Sequence, residues 1–167
     1  VAISAQAQDV PTPVAAMSFF VTSTGRGIGG NLGGLAGADA LCRQRATAVG
    51  RADRLWRAYL SAPPSADAPA VNARDRIGRG PWVNARGVQI AASVEQLHSE
   101  AVNLTIETAL TEKGGIVALQ RHDILTGSNP DGTLVTSGDA TCSGWTSHGE
   151  GMAMVGHHNR YGGGQGD

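Results

Sequence analysis

Glycine is the residue that most constrains how this chain can fold. The sequence has 24 glycines in 167 residues, and they cluster at residues 25–37 and 162–166. Glycine adopts backbone angles that other residues avoid, and it weakens helices and strands when it lies inside them. The pattern therefore predicts long irregular loops rather than long helices. At this length the chain can still bury one hydrophobic core.

Composition limits both the core and the partners. Hydrophobic residues make up 41% of the chain but aromatic residues only 4%, so small aliphatic side chains must build most of the core. The net charge is −1, and Lys113 is the only lysine. A nucleic-acid-binding surface needs a basic excess, so we expect no nucleic-acid partner. No run approaches the roughly 20 apolar residues of a membrane span, so we expect no transmembrane segment in this chain.

The N-terminus predicts export. Residues 1–7 (VAISAQA) end in the small-x-small pattern that signal peptidase prefers, and residues 8–13 resemble an extended lead-in. We therefore interpret residues 1–13 as a signal-peptide remnant with its lead-in and residues 14–167 as one domain, periplasmic or extracellular. An ordinary chain terminus is the alternative. In an oxidising compartment Cys42 and Cys142 could pair with each other or with cysteines outside this chain.

Hydrophobic periodicity predicts a mixed fold. The best helix covers residues 35–49, where apolar residues recur at helical spacing and Gly50 provides a stop. A capping box at residues 93–96 predicts a second, short helix. Strands or extended segments are predicted at residues 15–23, 55–61, 81–83, 87–91, 105–110, 115–119 and 152–156, and a long loop at 126–137. Short strands mixed with two helices indicate the α+β class.

The glycine-rich segment at residues 24–30 (TGRGIGG) superficially matches a dinucleotide-binding turn. However, residues 31–34 separate it from the predicted helix, and no acidic residue ends a second strand about 20 positions later. We therefore interpret it as a structural glycine loop, carried by Gly25, Gly27, Gly29 and Gly30.

The spacing of the histidines, cysteines and serines matches no enzyme motif, so we expect no enzyme. Metal sites need ligands that converge from spaced positions, and neither His-x-x-x-His nor Cys-x-x-Cys occurs. Two adjacent histidines on a strand would point to opposite faces. Nor is there a Gly-x-Ser-x-Gly nucleophile motif. A pocket gathering His122, His148 or His157 with carboxylates would favour an enzyme instead. The histidines are His98, His122, His148, His157 and His158.

Residues 128–132 (SNPDG) allow two interpretations. Asn-Pro and Asp-Gly both favour turns, so the segment predicts a turn. Alternatively Asn129 and Asp131, which flank a proline, could project together around a cis peptide. They could then share a calcium ion with sugar hydroxyls, because calcium takes 6–8 oxygen ligands.

Several segments together resemble a known family. Residues 19–23 (FFVTS), 30–42 (GNLGGLAGADALC) and 57–61 (RAYLS) are similar to a family of secreted bacterial domains of unknown function, often described as lectins. Residues 125–128 (LTGS), 131–133 (DGT) and 141–147 (TCSGWTS) resemble its later signature. The resemblance runs from about residue 17 to the end. The family belongs to the superfamily of C-type-lectin-like and endostatin-like folds.

The resemblance implies a C-type-lectin-like domain with two helices, a twisted, mostly antiparallel sheet and long irregular loops. It also implies that Cys42 and Cys142 each pair with a later cysteine that this chain lacks, and so not with each other. The closing strand of the family is missing too, so we expect a C-terminally incomplete domain. A lectin-type calcium site would take further ligands from that missing segment. We therefore predict no cofactor, with calcium at Asn129 and Asp131 as the one candidate.

Two functions follow as expectations. The first is a non-catalytic extracytoplasmic binding module of lectin-like type that recognises a glycan or another surface ligand, and calcium dependence would distinguish it. The second is a structural or accessory subunit docked on a larger periplasmic or membrane-embedded complex. Low charge and a basic set made almost entirely of arginine favour this alternative, because the arginine fork makes bidentate contacts at interfaces.

Overall fold

The structure is a computed structural model, and it describes residues 13–158. All but the last position of the predicted signal-peptide remnant and lead-in (residues 1–13) therefore lies outside the described residues, as does the glycine cluster at 162–166. No helix within residues 13–158 combines the length and the apolar character that crossing a membrane requires. The regular elements of this range are short helices and short strands, which confirms the α+β class.

The elements follow one another in this order: α1 (Gly34–Ala48), α2 (Ala73–Arg76), β1 (Trp82–Val83), β2 (Gln89–Ala91), α3 (Val94–Leu97), a 3-10 turn (Leu119–Arg121), β3 (Asp123–Leu125), α4 (Cys142–Trp145) and β4 (Val155–His157). Strand β1 pairs with β2, and β3 pairs with β4, both antiparallel. The described residues thus form two separate two-stranded sheets rather than the larger twisted sheet that the family resemblance implies. They also contain four helices rather than the expected two.

Both predicted helices are present. Helix α1 spans Gly34–Ala48, one residue earlier at each end than expected, and Gly50 follows it with φ 75°. That left-handed conformation ends a helix at no steric cost when the residue is glycine. Helix α3 starts at the predicted cap, where the Ser93 side chain accepts a hydrogen bond from the Gln96 backbone N–H.

The strand predictions are right where pairing is local and wrong elsewhere. The predictions at residues 81–83 and 87–91 correspond to β1 and β2, and the last strand is shifted to Val155–His157. Residues 15–23 are not a strand; the Ser18 and Phe19 N–H groups both donate to the Val83 carbonyl, and Val21 donates to the Leu110 carbonyl and forms one isolated bridge, with Thr111. Residues 105–110 are largely a turn, and 115–119 are not a buried strand, since Ile116 is 56% exposed. The loop at 126–137 is confirmed.

Residues 55–61 keep the alternation of a strand without being one. Trp56, Ala58 and Leu60 are buried, while Leu55 is 72% exposed. The segment lacks a neighbouring strand with a continuous ladder, and its backbone instead bonds to separate loops, for example Ser61 N–H to the carbonyl of Thr126 at 2.9 Å. The strand prediction at residues 55–61 is therefore wrong, although burial alternates along the segment.

The core consists of three small clusters, each built around one tryptophan. Because aromatic residues are few, alanines fill much of the remaining space, as the composition predicts. The buried members are Ala38, Ala58, Leu60, Ala62 and Trp145 in the first cluster, Met17, Ala46, Trp56 and Ala85 in the second, and Trp82, Ile90 and Ala91 in the third. Cys42 packs against both of the first two clusters and so joins them.

A buried carboxylate connects α1 to the segments that follow it. Asp39 is 8% exposed and accepts three hydrogen bonds of 2.8 Å, one from the Ala58 backbone N–H and one from each of the Arg57 and Arg76 guanidinium groups. Arg76 also donates to the Ala58 carbonyl. A buried charge is tolerated only when it is paired and hydrogen-bonded, so this network fixes α1 against α2 and residues 57–58.

Helix α4 is one left-handed turn. All four of its residues have positive φ, from 49° at Cys142 to 68° at Trp145. For residues other than glycine this conformation is costly, and local hydrogen bonds offset the cost. The Asp139 carboxylate accepts from the backbone N–H of Thr141 and of Ser143, at 2.8 and 2.7 Å. Trp145 is fully buried, and its indole N–H donates to the Ser61 carbonyl at 2.7 Å.

Candidate functional site

The loop at residues 128–134 carries both predicted ligand residues, and it is a rigid turn. The Asn129 backbone N–H donates to the Thr133 carbonyl at 2.8 Å, and the Asn129 side-chain amide donates to the Thr133 hydroxyl and the Leu134 carbonyl. The Asp131 carboxylate accepts from the Thr133 backbone N–H and hydroxyl through its Oδ1 atom. The first interpretation of residues 128–132 (SNPDG), as a turn, is therefore correct.

The arrangement does not fit calcium. Gly80–Pro81 is the cis peptide bond of the described residues, so the bond between Asn129 and Pro130 is trans. Asp131 belongs to no cluster of three potential ligand side chains in the described range. Two side-chain oxygens fall far short of the 6–8 that calcium takes. We therefore derive no role for calcium at this loop.

What the sequence did not reveal is the set of side chains that surrounds this loop. Arg74 donates from its guanidinium to the Asp131 carbonyl at 3.0 Å, and its backbone N–H donates to the Gly132 carbonyl. A Cβ at Gly132, which has φ 80°, would overlap the His98 ring and approach the Arg74 side chain to 2.8 Å. The loop is thus pressed closely against Arg74 and His98. We call Tyr59, Arg74, His98, Asn129 and Asp131 the loop face.

Tyr59 and His98 form a stacked, hydrogen-bonded pair within the loop face. Their ring centroids lie 5.9 Å apart, and the Tyr59 hydroxyl is 2.8 Å from His98 Nε2. His98 Nδ1 faces the Val94 carbonyl at 2.7 Å, so Nδ1 carries the hydrogen and Nε2 accepts from the phenol. The pKa of Tyr59 is raised to about 12, mainly by burial. The nearby Arg74 opposes this increase, and Asp131 adds to it. The phenol therefore stays protonated and acts as a donor to His98.

The negative charge of Asp131 is stabilised by its neighbours. Hydrogen bonds from Thr133 lower the pKa of the Asp131 carboxyl, with smaller contributions from the nearby Arg74 and His98. Within residues 13–158 its carboxylate makes no ion pair closer than 4 Å. Its Oδ2 atom and the Asn129 Oδ1 atom accept no hydrogen bond from the described residues. Both residues are exposed, so these two acceptor oxygens are available to a ligand on a hydrogen-bonded loop.

A shallow cleft begins where this loop ends. Its volume is about 250 Å³, and its lining includes Leu134, Pro63 and Asp139. Asp139 is committed to the left-handed turn α4, and the hydrogen bond from the Ser143 N–H, followed by those from Thr141, lowers the pKa of its carboxyl. The cleft therefore adds mostly apolar surface beside the loop face.

A second cluster lies at the β3–β4 pair, and sequence reasoning missed it. Asp123 on β3 is the register partner of His157 on β4. Nε2 of His157 and Nε2 of His122 are each 3.0 Å from the same carboxylate oxygen, Oδ1 of Asp123. Potential ligand atoms of all three side chains lie within 4.8 Å of one another. Imidazole and carboxylate are common ligands of transition metals, so these three side chains form a candidate metal site that no spacing motif in the sequence indicates.

The remaining histidines differ from these two. His158 is 1% exposed, and neither of its ring nitrogens has a hydrogen-bond partner in the described structure. Burial, followed by the nearby His122, lowers the pKa of His158. His148 is exposed and lies beside Gly29, away from the β3–β4 cluster.

The two cysteines are free thiols in the structure. Burial raises the pKa of Cys42 to about 11, and Asp39 adds to the increase. Cys142 begins the left-handed turn and packs against Gly30, where an added Cβ would come within 2.6 Å of both its Cβ and its Sγ. The pairing with later cysteines that the resemblance implies stays a prediction.

The glycine-rich segment acts locally. Gly27 and Gly29 have positive φ, of 74° and 59°, and Gly30 allows the close approach of Cys142. Gly25 lies in open space, with no neighbour that a Cβ would contact. The Arg26 guanidinium closes the segment by donating to the Leu32 carbonyl at 2.7 Å. The loop is therefore held by its own contacts.

Comparison with known proteins adds no family: no protein-family model matches this chain, and no curated protein matches it. The loop face and the β3–β4 cluster are therefore the two features of this chain that indicate a function.

Proposed function

We propose that this domain is a non-catalytic, extracytoplasmic binding module of lectin-like type that recognises a glycan through the loop face. The finer description of its fold as C-type-lectin-like is part of the same proposal. The observation that carries it is a pair of acceptor oxygens, Asn129 Oδ1 and Asp131 Oδ2, that accept no hydrogen bond from the described residues and belong to an exposed loop held by Arg74.

The chemistry of the loop face suits a polyhydroxylated ligand. Binding sites fix orientation with a few well-placed polar groups beside apolar or aromatic surface. Here the acceptors of Asn129 and Asp131 can receive hydrogen bonds from sugar hydroxyls. Hydrogen bonds to a charged carboxylate are stronger than neutral ones. The Tyr59 ring and the cleft that begins at Leu134 supply adjacent apolar surface.

Rigidity supports the same proposal. The loop is held by hydrogen bonds within residues 129–134 and by contacts with Arg74 and His98. A site that is already ordered loses less conformational freedom when a ligand binds. Since calcium does not fit the donor set, we propose that recognition is direct and calcium-independent.

A printed glycan array tests this function, followed by calorimetry with the glycans that bind. The Asp131→Asn variant retains an oxygen for Thr133 but loses the charge, so we expect at least about tenfold weaker binding. The matched control is Asp67→Asn, an exposed carboxylate on another loop, and it should bind as the wild type does. Calcium addition or chelation should not change the affinity. Equal binding by both variants, or no binding by the wild type, would contradict the proposal.

A docked accessory subunit is the second proposal, and exposed apolar side chains favour it. Leu55 is 72% exposed and Met152 is 71% exposed. Such residues can serve as contacts in an interface. Co-purification from native membranes tests this alternative. A stoichiometric partner lost on Leu55→Ser or Met152→Ser substitution would support it, and purification of the domain alone would count against it.

A further inference from the structure

The β3–β4 cluster brings three side chains together from two distant parts of the chain. Strand pairing places Asp123 opposite His157, and His122 directly precedes Asp123. The two imidazole rings meet edge to face, with centroids 4.9 Å apart and an interplanar angle of 89°. Each presents its Nε2 atom to Asp123 Oδ1 at 3.0 Å. Three potential metal-ligand atoms, one from each side chain, thus lie within 4.8 Å of one another.

The hydrogen bonding of His122 leaves its Nε2 atom available as a metal ligand. His122 Nδ1 lies 3.2 Å from the Leu119 carbonyl, which can only accept, so Nδ1 carries the hydrogen. In the neutral ring Nε2 then presents a lone pair to a carboxylate oxygen. A nitrogen lone pair and a carboxylate oxygen are both suitable ligands for a transition metal ion. A backbone carbonyl that fixes the outer nitrogen is also the usual support of a metal-bound histidine.

Two of the three distances suit a transition metal. Zinc binds imidazole nitrogen and carboxylate oxygen at about 2.0–2.2 Å, so tetrahedral ligands stand about 3.3 Å apart. The two separations of 3.0 Å from Asp123 Oδ1 are within a few tenths of an ångström of that value, whereas the three ligand atoms as a set lie within 4.8 Å of one another, so the histidine rings must move closer together around an ion. The three side chains are 32% to 60% exposed, so an ion can enter without rearrangement of the core.

We propose that His122, Asp123 and His157 bind a divalent transition metal ion of the zinc type. Two nitrogens and one carboxylate suit zinc rather than calcium or magnesium, which prefer oxygen ligands only. Three protein ligands leave a fourth position for water or an external ligand. The site is separate from the loop face and does not depend on the function proposed for it.

Calorimetric titration of zinc chloride into the metal-free full chain tests the proposal. We expect one ion per chain and at least about tenfold weaker binding on His122→Ala or His157→Ala substitution, since even outer-shell changes cost that much. The matched control, His148→Ala, removes an exposed histidine elsewhere and should bind as the wild type does. Calcium chloride and magnesium chloride should give no comparable heat. Circular dichroism shows whether each variant is folded.

Asp123→Asn keeps the proposal falsifiable if a histidine variant fails to fold, because Asp123 is 60% exposed. It too should weaken zinc binding at least about tenfold. Cobalt chloride adds an independent readout, since a four-coordinate cobalt site absorbs strongly in the visible range and the band should be weaker in Asp123→Asn at equal, limiting cobalt concentration. Absence of zinc binding by the folded wild type, or equal binding by wild type and Asp123→Asn, would overturn the proposal.

Discussion

Replacement of Asp39 by alanine should destabilise the fold strongly. Asp39 accepts hydrogen bonds of 2.8 Å from Arg57, Arg76 and the Ala58 backbone. The pair with Arg57 contributes little, because the Arg57 side chain is 45% exposed. The Arg76 side chain is only 11% exposed, so loss of its carboxylate leaves a buried charge uncompensated. Such losses cost about 3–5 kcal/mol of the free energy of unfolding.

Urea denaturation measures this loss, and thermal melting should show a Tm lower by on the order of 10 °C. The matched control is Asp53→Asn at an exposed aspartate, expected within about 0.5 kcal/mol of the wild type. Replacement of both Asp39 and Arg76 by leucine should cost less than the two single changes added together, because neither charge is left alone. Additive losses, or an Asp39→Ala variant as stable as Asp53→Asn, would refute the reasoning.

Three further predictions concern the core and the left-handed turn. Trp145→Phe should lower the free energy of unfolding by about 1–3 kcal/mol in urea denaturation, because it leaves the buried Ser61 carbonyl without its donor; an unchanged midpoint would contradict this. Cys42 should react slowly with iodoacetamide at pH 8, since its pKa of about 11 leaves little thiolate; the unfolded chain is the control, and equal rates in mass spectrometry would count against burial. Asp139→Asn should destabilise the protein most above about pH 4. The pKa of Asp139 is lower in the folded protein than in the unfolded chain. The charged carboxylate therefore stabilises the fold above the ordinary aspartate pKa, and this stabilisation is lost as the pH falls through the lowered pKa of the folded state. A stability difference between wild type and Asp139→Asn that is constant from pH 7 to pH 3 would contradict that assignment.

Local features of the fold could be predicted from the sequence. Helix α1 and the Ser93 cap depend on spacing within a few residues, and both are observed close to their predicted positions. The β1–β2 pair follows from short apolar segments with one turn between them. The burial alternation at residues 55–61 follows the period of two that an extended backbone imposes, although polarity alone does not predict that the apolar Leu55 is exposed.

Features that depend on distant pairing could not be predicted in this way. Asp123 and His157 are brought together by the β3–β4 register, and neither residue lay in a predicted strand. The left-handed conformation of Cys142 and Trp145 has no local signal other than Gly144 between them. It depends on Asp139 and on the burial of the Trp145 side chain, which the chain order alone does not reveal.

The candidate site was predictable only in part. Asn129 and Asp131 were identified from turn chemistry, and the structure places both on one exposed loop. Arg74 and the Tyr59–His98 pair reach that loop through tertiary packing, so no motif indicates them. Calcium was the one candidate cofactor at this loop, and the side chains of Asn129 and Asp131 supply only two oxygens of the 6–8 that calcium takes.

The most direct test of the binding function is an NMR titration of ¹⁵N-labelled protein with the glycan that binds best on the array. We expect amide shifts to change at residues 129–134 and beside Arg74 and His98, with no requirement for calcium. Asp131→Asn should weaken these changes at equal ligand concentration. Shift changes confined to other surfaces, or a spectrum that no glycan alters, would contradict the assignment of the loop face as the ligand site.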